Sequence, residues 1–223
     1  MMPTTDEVFL LLTKDDGKLE GMTTQRGYGL VGAMLSDLIR AGAIDVTADK
    51  NPRLLVVDST PTGDPVLDRG LERIAKKFDG KKLSSLISDG KLNPESAVVE
   101  RLASQGVIKV LEKAAWGLIP ERYPVLNPGP EQQLRRRLAA VLAGSAPPTL
   151  QDATVLSILQ GLGVAHTVLK DEAAGMSKRD LANRIEQVAA SDPSGEAVSK
   201  AVESLNAAMM TAVMIPMVVT TTN

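Results

Sequence analysis

Apolar positions recur along this chain at helical spacing, interrupted by short intervals rich in glycine, proline and charge. Thr4 and Glu7 stand three apart before the apolar run at residues 8–12, a spacing that predicts a capping box opening a first helix. Asp15-Asp16-Gly17-Lys18 then turns the chain. Across residues 29–40, Leu30, Val31, Met34, Leu35 and Leu38 recur at i, i+4 and i+8, which predicts one broad apolar stripe on a buried helix ended by Gly42. Residues 44–46 and 54–57, separated by Asp49-Lys50-Asn51-Pro52, predict a small β-hairpin. Pro61-Thr62-Gly63-Asp64 delivers the chain into a helix carrying Leu67, Leu71, Ile74 and Phe78, stopped by Gly80 and followed by a weak helical turn over residues 83–88. Asn93 as N-cap and Pro94 in the first turn predict a further helix that stops at Gly106.

Residues 106–124 break this rhythm. Val107, Ile108, Val110 and Leu111 favour strand while Pro120 and Pro124 forbid helix continuation, so two short strands joined near residues 113–116 are expected. Trp116, Leu118 and Ile119 form the apolar crest of that hairpin, between Glu112-Lys113 and Glu121-Arg122. Beyond the turn Asn127-Pro128-Gly129-Pro130, the residues Leu134, Leu138, Val141 and Leu142 mark an amphipathic helix up to Gly144. After Ser145-Ala146-Pro147-Pro148, helices are expected at about residues 150–169, 177–189 (Ser177 capping with Asp180) and 194–215, with a frayed tail over about 218–223. The fold class expected is mostly α: a single helix-rich domain over residues 1–223, a helical bundle core, and small β-hairpins of which one protrudes.

Composition narrows the functions open to the chain. Its 223 residues are 43% hydrophobic, enough for a full core, and only 2% aromatic, which suits closely packed helices. Formal net charge is -2, so no global positive field draws in nucleic acid or an anionic membrane, and any such binding must come from a local patch. Cysteine is absent, which removes disulfides, thiol nucleophiles and thiolate metal sites and fits a reducing cytoplasm. The first residues lack a basic segment followed by a long apolar run, so no signal peptide is expected. The longest mostly apolar run, residues 207–219, contains Pro216 and falls short of the ~20 residues of a spanning helix. A soluble protein, peripheral to any membrane it meets, is expected.

Catalytic chemistry is hard to assemble from these residues. His166 is the only histidine, and its apolar surroundings suggest a core residue with a local hydrogen bond rather than a base or ligand. Gly27-Tyr28-Gly29-Leu30-Val31-Gly32 has the spacing of a phosphate-binding turn but lacks a preceding buried strand and a ribose-binding acid. Asp6-Glu7, Asp15-Asp16 and Asp64/Asp68 fall where caps, turns and exposed helix faces explain them. No catalytic set, metal site or cofactor is expected, and an enzyme is disfavoured.

Several segments, in order, resemble the Golgi phosphoprotein 3 family: DEVFLLLTKDDGKL, GLVGAMLSDLIRAGAIDV, PTGDPVLDRGL, RLASQGVIKV, YPVLNPGPEQQLRRRLAAVLAG and VLSILQGLGVAHTVL. The resemblance implies a mostly helical, single-domain peripheral membrane protein, in eukaryotes one that binds phosphatidylinositol 4-phosphate and recruits glycosyltransferase tails. For Trp116, Leu118 and Ile119 it implies a role in membrane insertion and oligomerisation. By this match the family's head-group tryptophan and arginines fall at Met22, Val31, Leu92 and Glu95. None of these offers the planar, bidentate donor that suits a phosphomonoester, so the scaffold is expected without that chemistry, as in a bacterial, actinobacterial-like relative.

An anion patch could instead form from Arg122, Arg135, Arg136 and Arg137, with Arg26 beside it, although successive helical residues point about 100° apart. The leading expectation is a cytoplasmic adaptor peripheral to a membrane, with lipid, a second copy of itself and a membrane-protein client as partners. The alternative is a winged-helix-like nucleic-acid-binding or protein-interaction module, since helix, strand and hairpin follow one another over 94–124; the helix sets Arg101 against Glu95 and Glu100, which disfavours nucleic acid.

Overall fold

The computed structural model describes residues 2–20, 23–47, 51–112, 120–191 and Leu205. Its elements in order are α1 (Thr4–Leu11), α2 (Thr23–Arg40), β1 (Ile44–Val46), β2 (Leu54–Val56), α3 (Pro65–Lys77), α4 (Leu83–Ile87), α5 (Glu95–Ser104), α6 (Gly129–Leu142), α7 (Leu150–Gly161), α8 (Ala165–Val168) and α9 (Lys178–Ala190). The fold is mostly α, as the periodicity implied.

Helix α1 is the centre of the bundle. Every residue from Thr4 to Leu11 is buried, and the helix packs against α2, α5, α6 and α7. Val8, Phe9 and Leu10 supply apolar surface on successive faces, each side chain of this size stabilising the fold by about 2 kcal/mol when removed from water. A helix without a solvent face must also satisfy its polar side chains inside the protein. The capping box expected at Thr4 and Glu7 is therefore absent: Pro3 is the cap, the Thr4 hydroxyl donates to Asp37 Oδ1 at 2.5 Å, and Glu7 turns to Arg137. A capping box occurs instead at α7, where the Asp152 N–H donates to Thr149 Oγ1 at 3.2 Å and the Thr149 N–H to Asp152 Oδ2 at 2.9 Å.

Around α1 the sequence pattern holds well. Leu30, Val31, Met34, Leu35 and Leu38 of α2 are all buried, and Gly42, at φ +71°, ends the helix in the left-handed conformation that suits glycine. β1 and β2 pair antiparallel with Ile44 opposite Val56. Asp64 caps α3 by accepting from the Val66 N–H at 2.8 Å, with Pro65 in the first turn. At α5 the cap is Pro94 rather than the expected Asn93, which stands one residue earlier and accepts from the Glu95 N–H through Oδ1 at 3.1 Å.

Two expectations need correcting. The helix expected over residues 150–169 is two: Gly163 has φ +74°, the Val164 N–H turns back to Leu159 O at 3.0 Å, and the chain restarts as α8. His166 lies on α8 and is exposed, so it is not a core histidine. The segment expected at 194–215 lies outside the described residues except for Leu205, which is buried.

The hairpin expected between α5 and α6 exists at its root. Ile108 pairs with Val125 and Leu111 with Arg122, the latter two exchanging N–H to carbonyl bonds of 2.9 and 3.0 Å. Gly17 fastens this root to the end of α1: the Tyr123 N–H donates to Gly17 O at 3.1 Å, and the Val125 N–H to Asp15 O at 3.2 Å. The crest residues Trp116, Leu118 and Ile119 lie outside the described residues. Among the described residues, no helix is long and apolar enough to cross a membrane.

Candidate functional site

The polar side chains of α1 open an inner system of ion pairs. Asp6 and Glu7, expected at caps or exposed faces, are each 1% exposed. Arg101 of α5 donates to Asp6 Oδ1 through Nη2 at 2.5 Å and Nε at 3.1 Å, to Asp64 through Nη1 at 2.9 and 2.7 Å, and to Thr5 Oγ1 at 2.9 Å. Arg137 of α6 donates through Nη2 to both Glu7 oxygens and through Nε to Asp152 Oδ1 at 2.6 Å. Burial pushes the Asp6 carboxyl up to about 6 against the pull of the Arg101 hydrogen bonds and charge, and it raises Glu7 and Asp37 as well. Burial also works against the Arg137 cation, but the Glu7 and Asp152 hydrogen bonds and charges outweigh it and raise the arginine above its ordinary range.

A second inner cation sits where α2 meets α5. Arg26, 4% exposed, bonds Glu95 through Nη2 and places its guanidinium carbon 5.1 Å from the Phe9 ring centre and 5.3 Å from that of Tyr123. Its Nε and Nη1 have no hydrogen-bond partner among the described residues, and the negative faces of the two rings partly compensate. Glu95 is thus neutralised rather than left to repel an anion. Burial, with Glu95 and Glu121 nearby, pushes the Tyr123 phenol up to about 12.

The positions singled out in the sequence do not converge. Val31 is 1% exposed in the core, Leu92 is 3% exposed at the edge of a cleft, Glu95 is paired with Arg26, and Met22 lies outside the described residues. The proposed arginine patch also separates. Arg135 is held by Glu131 at 2.8 Å and Glu172 at 3.0 Å, Arg137 by Glu7 and Asp152, Arg136 is exposed, and the half-buried Arg122 belongs to the hairpin root. Arg101, the cation of the helix read as part of a wing, faces inward and is unavailable to a phosphate backbone.

Positive charge in excess of acid collects elsewhere, in a cleft of about 370 Å³ between α3 and the segment entering α5. Arg69, Arg73, Lys76 and Lys77 line it from α3, and Lys91 from the other side. The i, i+4, i+7 spacing of Arg69, Arg73 and Lys76 places them on the face away from Leu67, Leu71 and Ile74, with Lys77 at its border, so the periodicity that buries one face also builds a basic one. That signal is legible in the sequence as helical period, and Leu92, one of the family-matched positions, stands at the edge of the same cleft. The floor is tight: a Cβ on Gly70 would lie 2.4 Å from Met34 Sδ. A smaller cleft of about 230 Å³ near Thr13 and Thr167 holds cations already matched by acids, Lys14 with Glu20 and Arg135 with Glu131. Among the described residues, no group of three or more histidine, aspartate or glutamate side chains could hold a metal ion.

Among curated proteins none matches the chain. The sequence profile described as Golgi phosphoprotein 3 (GPP34) matches residues 5–205, which span the central α1, the inner ion pairs, the hairpin and the basic cleft. With nearly the whole chain matched and a mostly α fold in place, the protein belongs to the Golgi phosphoprotein 3 family.

Proposed function

We propose that this protein is a non-enzymatic, peripheral membrane protein of the adaptor type, which meets a lipid surface carrying anionic head groups from the cytoplasmic side. Phosphatidylinositol 4-phosphate is the lipid that family resemblance suggests, and the hairpin crest at Trp116, Leu118 and Ile119 is the segment suggested to enter the bilayer or meet a second copy. A membrane-protein client completes the adaptor reading.

The observation that carries the proposal is the sorting of positive charge. Inside the bundle, Arg26, Arg101, Arg135 and Arg137 are each consumed by carboxylates. Between Arg69 and Lys91 the chain instead gathers Arg69, Arg73, Lys76, Lys77, Lys81, Lys82 and Lys91 against Glu72, Asp79 and Asp89, in a protein whose net charge is -2. Two of those acids are occupied by the backbone: Asp79 accepts from the Val56 N–H at 3.0 Å and Asp89 from the Lys91 N–H at 2.8 Å. A basic face on an otherwise acidic protein orients it toward an anionic surface, each well-placed cation being worth about 1 kcal/mol.

Flotation with vesicles of phosphatidylcholine alone, or doped with phosphatidylserine or phosphatidylinositol 4-phosphate, tests the reading at low and physiological salt. The protein is expected to float with both anionic preparations, less at higher salt, and not with neutral vesicles. Failure to float with any preparation would refute it.

A further inference from the structure

We infer that the outward face of β2 is a second lipid-contact surface, at which Leu55 and Val57 enter the acyl boundary of a membrane while Arg53 and Lys82 meet its anionic head groups. The inference rests on the membrane reading and adds to it a point of apolar insertion apart from the hairpin crest.

The strand's own alternation builds this face. Leu54 is fully buried and Val56 packs against the core, so Arg53, Leu55 and Val57 point outward. Leu55 is 41% exposed and Val57 64%. Single exposed aliphatic side chains are ordinary on a protein surface, but these two are successive positions on one face of one strand. Both edges of β2 are occupied. β1 pairs with one, setting Asp45 opposite Leu55; at the other, the Leu54 N–H donates to Lys81 O at 3.0 Å and the Gly80 N–H to Leu54 O at 2.8 Å. An extended peptide therefore finds no open edge on β2, and the strand offers a partner only its face.

The positive charge on that face is unanswered. Arg53 and Lys82 form an antiparallel bridge, which sets them directly opposite one another, both exposed and on the same side as Leu55. Like charges so placed repel. Among the described residues no carboxylate is bonded to Arg53, Lys81 or Lys82, and Arg53 Nη1 donates to Gly80 O at 2.8 Å. The acids nearby are turned to the backbone: Asp45 accepts from the Val46 N–H at 2.7 Å, Asp58 from the Thr60 N–H at 2.8 Å and Asp79 from the Val56 N–H at 3.0 Å. An anionic partner would relieve the repulsion. Aliphatic side chains beside unpaired cations are the composition of an interfacial lipid contact, whereas the aromatic anchors that dominate protein interfaces are missing here. The bond from Val56 to Asp79 joins this face to the end of α3, so it borders the basic surface already described.

The chain has no cysteine, so Val57→Cys can carry a single environment-sensitive dye, with Asn183→Cys on the exposed side of α9 as the reference position. On addition of phosphatidylcholine vesicles containing phosphatidylserine, the dye at 57 is expected to shift to the blue and to be quenched by lipids spin-labelled on the acyl chain, while the dye at 183 stays in water. In flotation of unlabelled protein, Leu55→Ser with Val57→Ser is expected to weaken vesicle binding about fivefold or more, and Arg53→Gln with Lys82→Gln to weaken it on anionic vesicles. All four residues are exposed, and melting curves check that each variant folds. Wild-type flotation with the dye at 57 still in water, or with the serine pair floating as the wild type does, would overturn the inference and leave the membrane reading standing. A dye shift that grows with protein concentration in the absence of vesicles would overturn it in favour of a second copy of the chain. Failure of the wild type to float on any vesicle would remove both the membrane reading and this one.

Discussion

Arg137 on α6 and Glu7 on α1 lie 130 residues apart in sequence, yet Arg137 Nη2 donates to both Glu7 oxygens at 2.9 and 3.0 Å. The same guanidinium holds Asp152 of α7 through Nε at 2.6 Å, so one side chain ties three helices together. Removing it leaves two carboxylates, each 1% exposed, without their cation. Arg137→Met is expected to lower stability by about 3 kcal/mol in urea titration, because breaking a buried pair strands a charge. Adding Glu7→Gln should restore part of that loss; a double variant no more stable than the single one would show that the pair is not coupled.

The inner carboxylates also set a pH dependence. Unfolded, Asp6 titrates near 3.8; folded, burial raises it to about 6. Between these values the folded chain holds a proton that the unfolded chain has released, so stability falls as pH rises through that window and is flat above it. Glu7, Asp37 and Glu131 are shifted in the same direction by the same cause. The urea midpoint is therefore expected to rise on going from about pH 7 to about pH 5, with Asp6 contributing about 1 kcal/mol, and Asp6→Asn should flatten the rise. A midpoint that falls steadily over that range would contradict this.

These two relationships mark where sequence reading stops. Spacing along the chain revealed the apolar stripe of α2, the Asp64 and Ser177 caps and the glycine stops, because each is decided within a few residues. Asp6 and Glu7 looked like ordinary helix-start acids, because their partners Arg101 and Arg137 stand 95 and 130 residues away. The apolar neighbours of His166 suggest a core residue, but the break at Gly163 turns it outward. The basic face of α3 was legible as period; which of its cations lacked a partner needed the fold.

Gly17 is the narrowest fit at the hairpin root. Its φ is +79°, and a Cβ would lie 2.4 Å from Pro124 N and 2.5 Å from Tyr123 N, both backbone atoms that cannot swing aside. Gly17→Ala is expected to cost about 2 kcal/mol or more and to loosen the hairpin, read as faster amide exchange at Tyr123 and Val125. Exchange and melting temperature both unchanged would show that the root is not held there.

Trp116 is the only tryptophan, so its emission reports the crest alone. As an interface, Trp116→Ala with Leu118→Ser should leave monomer stability nearly unchanged and remove self-association or vesicle binding. A steep loss of melting temperature with unchanged association would make the crest part of the core instead.

Charge reversal on α3 tests membrane attachment most directly. Lys76 and Lys77 are both exposed, so Lys76→Glu with Lys77→Glu should spare the fold while inverting the face proposed to meet the lipid. In co-sedimentation with phosphatidylserine vesicles at physiological salt, the wild type and Arg136→Glu are expected to pellet alike and the α3 double variant to stay in solution. Equal pelleting of all three proteins, or none of any, would contradict the account.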